Sequence, residues 1–398
     1  MTAMQPARRR TALAGILAAV FVSGTGIGSI LPILPLYLRE RGASYALVGV
    51  VVAAALVAQA VGQWPAGWLA DRLGRREMMV AGLLLSAAAS LVFVLPLSVA
   101  WLVVLRFVQG LGFAAAAPAE RAAVADVVPP EELGMAYGWV SAARMSGLIV
   151  GPALGGLLAV FGRWTVFVTT GAALAAAALV AAVALGPSPR RMAGQRGLPV
   201  LSLRAGRGGQ ALRGVLILTA GVGLLAGIYD VIWSLYMRAI GASDPVIGLS
   251  FSLWALPLVI VTPLAGWASD RWDRRWLAAA SVGLTAMIGP FYPLLHNIPV
   301  VMAVGAVEAG LWAFAEPAMN AFLMDAVPES RGEAQGIVGT ALSAAMAIGS
   351  LLAGTLFAIG LAVPFVAGAV ACVALVLAAV PSLRAAGQRA GGMVTTVA

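Results

Sequence analysis

Apolar runs about the length of a membrane crossing recur along the whole chain, and little else can be built from such segments. They fall near 12–36, 46–70, 78–97, 98–120, 134–160, 164–186, 214–237, 246–268, 276–295, 299–322, 334–359 and 362–382. A segment in hydrocarbon must satisfy its own backbone hydrogen bonds, so each run is predicted to be a helix. A soluble chain that is 61% hydrophobic and 10% charged would have no polar coat to show to water. The expected fold class is therefore an all-α membrane protein with twelve transmembrane helices, both ends lying on one side.

The arginines say which side. The net charge is +9 and no Lys occurs. Alternate segments carry Arg8, Arg9, Arg10, Arg72, Arg75, Arg76, Arg121, Arg190, Arg191, Arg196, Arg204, Arg207, Arg213, Arg271, Arg274, Arg275, Arg331, Arg384 and Arg389. The opposite loops carry only Arg39, Arg41, Arg163 and Arg238. The positive-inside rule then predicts cytoplasmic termini. The arginines punctuate the gaps between apolar runs instead of forming one patch, which argues against nucleic acid as a partner. Arg8-Arg9-Arg10 before an apolar stretch resembles a signal peptide, but the run is long enough to span, so an uncleaved first helix is expected. Abundant Ala, Gly and Arg without Lys suit a GC-rich bacterial genome, and the expected location is the bacterial inner membrane.

The sequence repeats itself at an offset of 199 residues. Leu36-Tyr37-x-Arg39-x-x-Gly42-Ala43-Ser44 returns as Leu235-Tyr236-x-Arg238-x-x-Gly241-Ala242-Ser243. Gly67-Trp68-x-x-Asp71-Arg72-x-x-Arg75-Arg76 returns as Gly266-Trp267-x-x-Asp270-Arg271-x-x-Arg274-Arg275. Pro118, Asp126 and Pro129 match Pro317, Asp325 and Pro328; one residue is then lost, and Gly138, Gly151 and Gly156 match Gly336, Gly349 and Gly354. The domains expected are a six-helix half over 1–186, an Arg-rich cytoplasmic linker over 187–213, and a second six-helix half with a short tail over 214–398. Parallel halves of this kind rock about a midplane site in transporters.

The stretch Gly67-Trp68-Leu69-Ala70-Asp71-Arg72-Leu73-Gly74-Arg75-Arg76 resembles the signature loop between the second and third helices of the major facilitator superfamily, and 266–275 is its partial copy. Read physically, Asp71 and the arginines form a latch. They can bond helix ends and acids of the opposite half and release them as that face opens. The plainer reading is that the charges only stop and orient helices.

Charged and polar side chains inside spans are the functional candidates. Leu105-Arg106-Phe107-Val108-Gln109-Gly110 resembles the superfamily's second motif, which the family associates with proton coupling. Arg106 and Gln109 share a stripe of the fourth span with Glu120, which reads as an ordinary helix-end acid. The tenth span, its repeat mate, carries Glu308, Trp312, Glu316 and Asn320 four apart. The resemblance implies that such helices line a common cavity. Burial at Glu308 opposes ionisation and a nearby cation would favour it, so this acid is the best proton site. Glu316 is either a second cavity acid or a partner of a loop Arg. Asp230 sits between Tyr229 and Trp233, a setting that suits an organic cation; the alternatives are an ion pair with Arg106 or Arg144, or a water-exposed residue at the cavity mouth. Arg144 either pairs with an acid across the cavity or holds an anionic substrate.

In the fifth span, Gly147-x-x-x-Gly151-Pro152-x-x-Gly155-Gly156 resembles the pattern of the superfamily's antiporter branch. Its plainer reading is close helix packing. Gly24-x-Gly26-x-Gly28 follows no strand and reads as a packing or hinge surface, not a nucleotide loop. The absence of Lys removes any Walker motif, the single Cys372 and single His296 leave no Cys- or His-based metal site, and no cofactor or enzymatic centre is expected. The chain as a whole resembles the twelve-helix tetracycline and multidrug proton antiporters, which implies proton-driven efflux of small amphipathic or cationic compounds by alternating access, and with it antibiotic resistance. Unlike many of them, its first span holds no acid, so coupling falls to the seventh and tenth. The alternatives are translocation of an anionic metabolite or lipid on Arg144 and Arg106, and a membrane sensor that does not transport. Nothing demands an obligatory protein partner, so a monomer in the lipid bilayer is expected.

Overall fold

The computed structural model describes residues 6–186, 207–327 and 331–391. Most of the expected linker, 187–206, lies outside the described residues. Every regular element described is helical. The first half contains α1 (Pro6–Ile30), α2 (Leu34–Glu40), α3 (Tyr45–Leu73), α4 (Arg75–Val92), α5 (Val99–Val127), α6 (Leu133–Leu158) and α7 (Trp164–Ala184). The second contains α8 (Arg207–Ala239), α9 (Asp244–Arg271), α10 (Arg274–Ile288), α11 (Ile298–Trp312), α12 (Ala315–Ala326), α13 (Arg331–Ile359) and α14 (Val363–Gly391). Among the described residues, eleven segments are long and apolar enough to cross a membrane. The remaining predicted run, near 78–97, is α4, whose 18 residues include Arg75, Arg76 and Glu77, so no stretch of spanning length within it is free of these three charges.

Three apolar runs that read as single helices are interrupted, each by proline. Pro32 and Pro35 separate α1 from α2. Pro290 and Pro293 turn the end of α10 into a 3-10 stretch, Gly289–Leu294. Pro317 has no N–H to give to the carbonyl four residues back, that of Ala313, and its ring crowds it; the break between α11 and α12 falls at Ala313 and Phe314. Turn chemistry repeats with the sequence, since Gly42 and Gly241 take φ of +79° and +93°, where a side chain is disfavoured.

The helices group into two compact units, Met1–Gln195 with Trp233–Ser252, and Arg196–Ile232 with Leu253–Ala398. In the first, Ile16, Leu83, Val124 and Leu174 are core residues. In the second, Leu218, Val282, Leu323 and Leu383 are core residues. Each unit is knitted by helices that touch backbone to backbone. A Cβ on Gly151 would sit 2.9 Å from the Cα of Gly28, and one on Gly147 would sit 2.8 Å from the nitrogen of Thr25. Gly155 faces Ser29 in the same seam, so α1 and α6 meet through positions without side chains. The second unit repeats the device: Gly349 faces Leu224, Gly227 faces Met346, and the hydroxyl of Ser350 donates to the Gly227 carbonyl at 3.0 Å. In hydrocarbon such close contact supplies the dispersion and weak polar energy that water exclusion cannot.

Gly151→Leu is expected to destabilise the protein by about 1–3 kcal/mol, the usual cost of overpacking. Thermal unfolding in detergent should show a lower midpoint. Gly138→Ala, on the same helix with nothing within 4 Å of the added methyl, should show no loss.

Candidate functional site

The polar side chains within the helices form separate clusters. In the second unit the cluster centres on Glu308 of α11, whose side chain is fully buried at 0% exposure. The hydroxyl of Tyr292 donates to Glu308 Oε2 at 2.5 Å. Tyr229 of α8 is the second phenol beside this carboxyl; its ring stands edge-on to Tyr292 at 6.4 Å and lies 5.9 Å from Phe365. Gly289 makes room for it, because a Cβ there would come within 3.0 Å of the Tyr229 hydroxyl. Tyr292 is carried by the proline-rich 3-10 stretch, which turns it inward. The sequence suggested a cation near Glu308; the groups that face its carboxyl are tyrosine hydroxyls.

The first unit holds a polar cluster at the repeat-related place. Counting back 199 residues, Glu308 corresponds to Gln109, Tyr292 to Phe93 and Gly289 to Ser90. Gln109 accepts a hydrogen bond from Arg106 and donates to the Ser90 hydroxyl at 2.6 Å. All three side chains are buried. Phe93 stacks on Phe167 with centroids 5.0 Å apart, and Phe167 is the mate of Phe365. One scaffold thus carries a permanently neutral amide in one copy and a titratable acid in the other.

Arg144 gives its guanidinium to both carboxylate oxygens of Glu120 at 2.7 Å. Glu120 is buried. It read as an ordinary helix-end acid in the sequence; it is in fact the partner of Arg144. The pairing was not legible in the sequence, since a 24-residue separation matches no helical period and the two residues meet only where α5 and α6 pack.

The two signature loops fold alike. Arg75 pairs with Asp126 at 2.5 Å, and Arg274 pairs with Asp325 and with Asp270. Arg76 donates to the carbonyl of Ala182, and Arg275 to that of Leu383. These bonds tie α4 and α10 to helices of their own half. Arg72 lies over Trp68 at 3.8 Å and Arg271 over Trp267 at 4.3 Å, matching cation–π pairs that the four-residue spacing could have revealed. Gly67 and Gly266 meet nothing that would exclude a side chain. The copies differ at one joint. Gly74 ends α3 at φ +113°, whereas its mate Asp273 caps α10 by accepting from the Arg275 N–H. The Arg275 guanidinium also bonds this carboxylate and holds it below the usual carboxylate range. The side chain of Asp71 lies outside the described residues.

At the opposite end of the first unit, α6 meets the start of α9. Gly156 and Gly248 approach so closely that a Cβ on Gly248 would lie 2.9 Å from the Gly156 Cα. Arg163 grips both oxygens of Asp244 at 3.0 and 3.2 Å and reaches Glu40 at 3.4 Å. Arg238 also pairs with Asp244. Pro152 of the antiporter-like pattern lies on this helix, its ring 3.1 Å from where a Cβ of Gly28 would be.

Other expected site residues are placed differently. Trp233 is buried and donates its indole N–H to the Ser250 hydroxyl at 2.9 Å, so it packs against α9. Asp230 itself is half-buried on α8. The run Glu308, Trp312, Glu316, Asn320 does not make one stripe. Four-residue steps drift about 40° each around a helix, and the chain breaks between Trp312 and Ala315. Glu308 ends fully buried and Glu316 exposed, with Trp312 edge-on to Trp254 at 5.8 Å.

Repeated six-helix halves, charged loops that tie helix ends together and isolated polar clusters inside the spans define a multi-pass membrane transport fold. The family model for the Major Facilitator Superfamily matches residues 16–225 and 215–391, and the chain belongs to that family of membrane transporters, which are not enzymes. Multidrug resistance protein 2 of Bacillus subtilis is 37% identical over 163 residues, 41% of each chain. Quinolone resistance protein NorA of Staphylococcus aureus is 30% identical over 172 residues, 43% of this chain and 44% of that one. The matched region is thus less than half the length of these relatives. Among solved structures, a bacterial homologue of the lysosomal transporter Spinster is similar at TM-score 0.75 and 17% identity over 96% of this chain and 97% of that one. The nucleoside transporter NupG is similar at TM-score 0.80 and 12% identity over 93% and 99%. Both likenesses concern the fold.

Glu120→Gln should leave Arg144 without its charge partner and cost about 1–2 kcal/mol, since the guanidinium remains partly solvated. Glu120→Gln combined with Arg144→Gln should recover part of that loss in the same thermal unfolding experiment.

Proposed function

We propose that the chain is a secondary transporter that exports small amphipathic or cationic compounds in exchange for protons. The observation that carries this is Glu308. It is the one member of the repeat-related pair, Gln109 and Glu308, that can gain and lose a proton. It is buried, bonded to Tyr292, and set in a span where an ionisable group is costly unless it works. The multidrug and quinolone resistance relatives support the same substrate class.

Glu308 then serves as the proton site, and Asp230, one residue from Tyr229 on α8, as the acid that meets the substrate cation. Protonation of this acidic region releases the cation outward, and deprotonation inside restores its site. The chain works by alternating access. The paired signature loops act as latches that release as their face opens. Arg144 is already held by Glu120, which disfavours an anionic substrate there. The protein resides in a bacterial inner membrane with both termini cytoplasmic, works as a monomer, and confers resistance to its substrates.

Inverted vesicles acidified inside provide the test. Lipophilic cations are expected to release protons, neutral drugs less, organic anions not at all. Glu308→Gln and Asp230→Asn should each abolish the response in protein that still folds. Proton movement with anions alone, or full activity in Glu308→Gln, would sink the proposal.

A further inference from the structure

The second unit bears a groove of about 470 Å³ whose lining includes Trp272, Trp276, Leu277, Ala280, Leu284 and Phe314. Its wall is hydrocarbon almost throughout. The Ser281 hydroxyl on it is engaged by the Leu311 carbonyl at 2.6 Å, and Asp273 at its end is bonded to Arg275 at 2.5 Å. The side-chain oxygens along the groove are thus both engaged. From Asp273 to Leu284 the helix rises about 16 Å, roughly half the thickness of a bilayer's hydrocarbon core, which is the depth of one leaflet.

The ends of the groove differ. Trp272 and Trp276 stand at one end, 59% and 40% exposed, as aromatic rings do where hydrocarbon meets headgroups. Arg384 of α14 lies over the Trp276 ring at 6.0 Å. The nearby acids Asp270, Asp273 and Asp325 are paired with Arg274 and Arg275, and among the described residues Arg384 is in no ion pair. The fold's symmetry does not require any of this. The repeat mates of Trp272, Trp276 and Phe314 are Leu73, Glu77 and Ala115, and that of Arg384 is Gly186. The first half therefore has an acid where the second has Trp276, and a glycine where the second has Arg384.

We propose that this groove holds one acyl chain of a phospholipid from the leaflet on the arginine-rich side, with the lipid phosphate on Arg384 and a preference for an anionic headgroup. The inference stands apart from the transport reading, because it concerns the lipid-facing surface and not the buried acids.

Native mass spectrometry of the full chain, stripped of bulk lipid in detergent and titrated with phosphatidylglycerol or phosphatidylcholine, tests it. The wild type should retain one lipid and favour phosphatidylglycerol about fivefold, the effect of one arginine near a headgroup. Ala280→Trp fills the groove from an exposed position and should lose the retained lipid; Leu284→Trp serves as a second filling variant. Arg384→Gln should keep the lipid but bring the two headgroups to equal affinity. Retention of the lipid in both filling variants, an unchanged preference in Arg384→Gln, or displacement of the lipid by a lipophilic cation at equal concentration would overturn the proposal.

Discussion

A peptide group in hydrocarbon has no water to bond, and the rest of this structure answers to that constraint. It makes every crossing segment a helix and leaves helices little reason to associate except close contact. The contacts seen between α1 and α6, and between α8 and α13, are made where Gly147, Gly151, Gly227 and Gly349 let one backbone lie on another. Any side chain at these places would hold the helices apart and forfeit the dispersion energy that joins them. The same rule explains the breaks. Where Pro290, Pro293 and Pro317 interrupt the ladder, the chain tightens into a 3-10 stretch or begins a new helix.

On this frame the two repeats carry different chemistry. The hydrogen-bonded trio of Arg106, Gln109 and Ser90 becomes, in the second copy, Glu308 with two tyrosines. The exchange is consistent atom by atom. Ser90 becomes Gly289, and the space is taken by the Tyr229 hydroxyl; Phe93 gains a hydroxyl as Tyr292. A duplicated fold can keep one copy inert and make the other titratable without rebuilding the packing around it, since Phe167 and Phe365 keep their aromatic contacts in both.

Charge is handled in pairs. Arg75 with Asp126 and Arg274 with Asp325 fasten the start of one helix to the end of another in each half, while Arg163 and Arg238 converge on Asp244 at the far end of the first unit. Few of these groups are fully exposed, so they are screened less than surface ions would be. Their arrangement at helix ends leaves the helix interiors apolar apart from the few side chains discussed above.

Much of the fold was legible in the sequence, because hydropathy, arginine spacing and the 199-residue repeat report directly on what a bilayer demands of each segment. Glu308 was legible too, as a carboxyl in the middle of an apolar run. Its partners were not. Tyr292 and Tyr229 lie 16 and 79 residues away and meet it only when α8, α11 and the 3-10 stretch pack together. Glu120 looked like a helix-end charge until α6 brought Arg144 to it. The polar run on the tenth span does not share one environment, because a proline breaks the helix and Glu316 is exposed where Glu308 is buried. The sequence by itself determined the kind of elements, their repetition and the family, since those follow from local hydrophobicity and motif spacing. Only the tertiary structure decided which charges are paired and which face each buried group presents, because these depend on contacts between segments far apart in the chain.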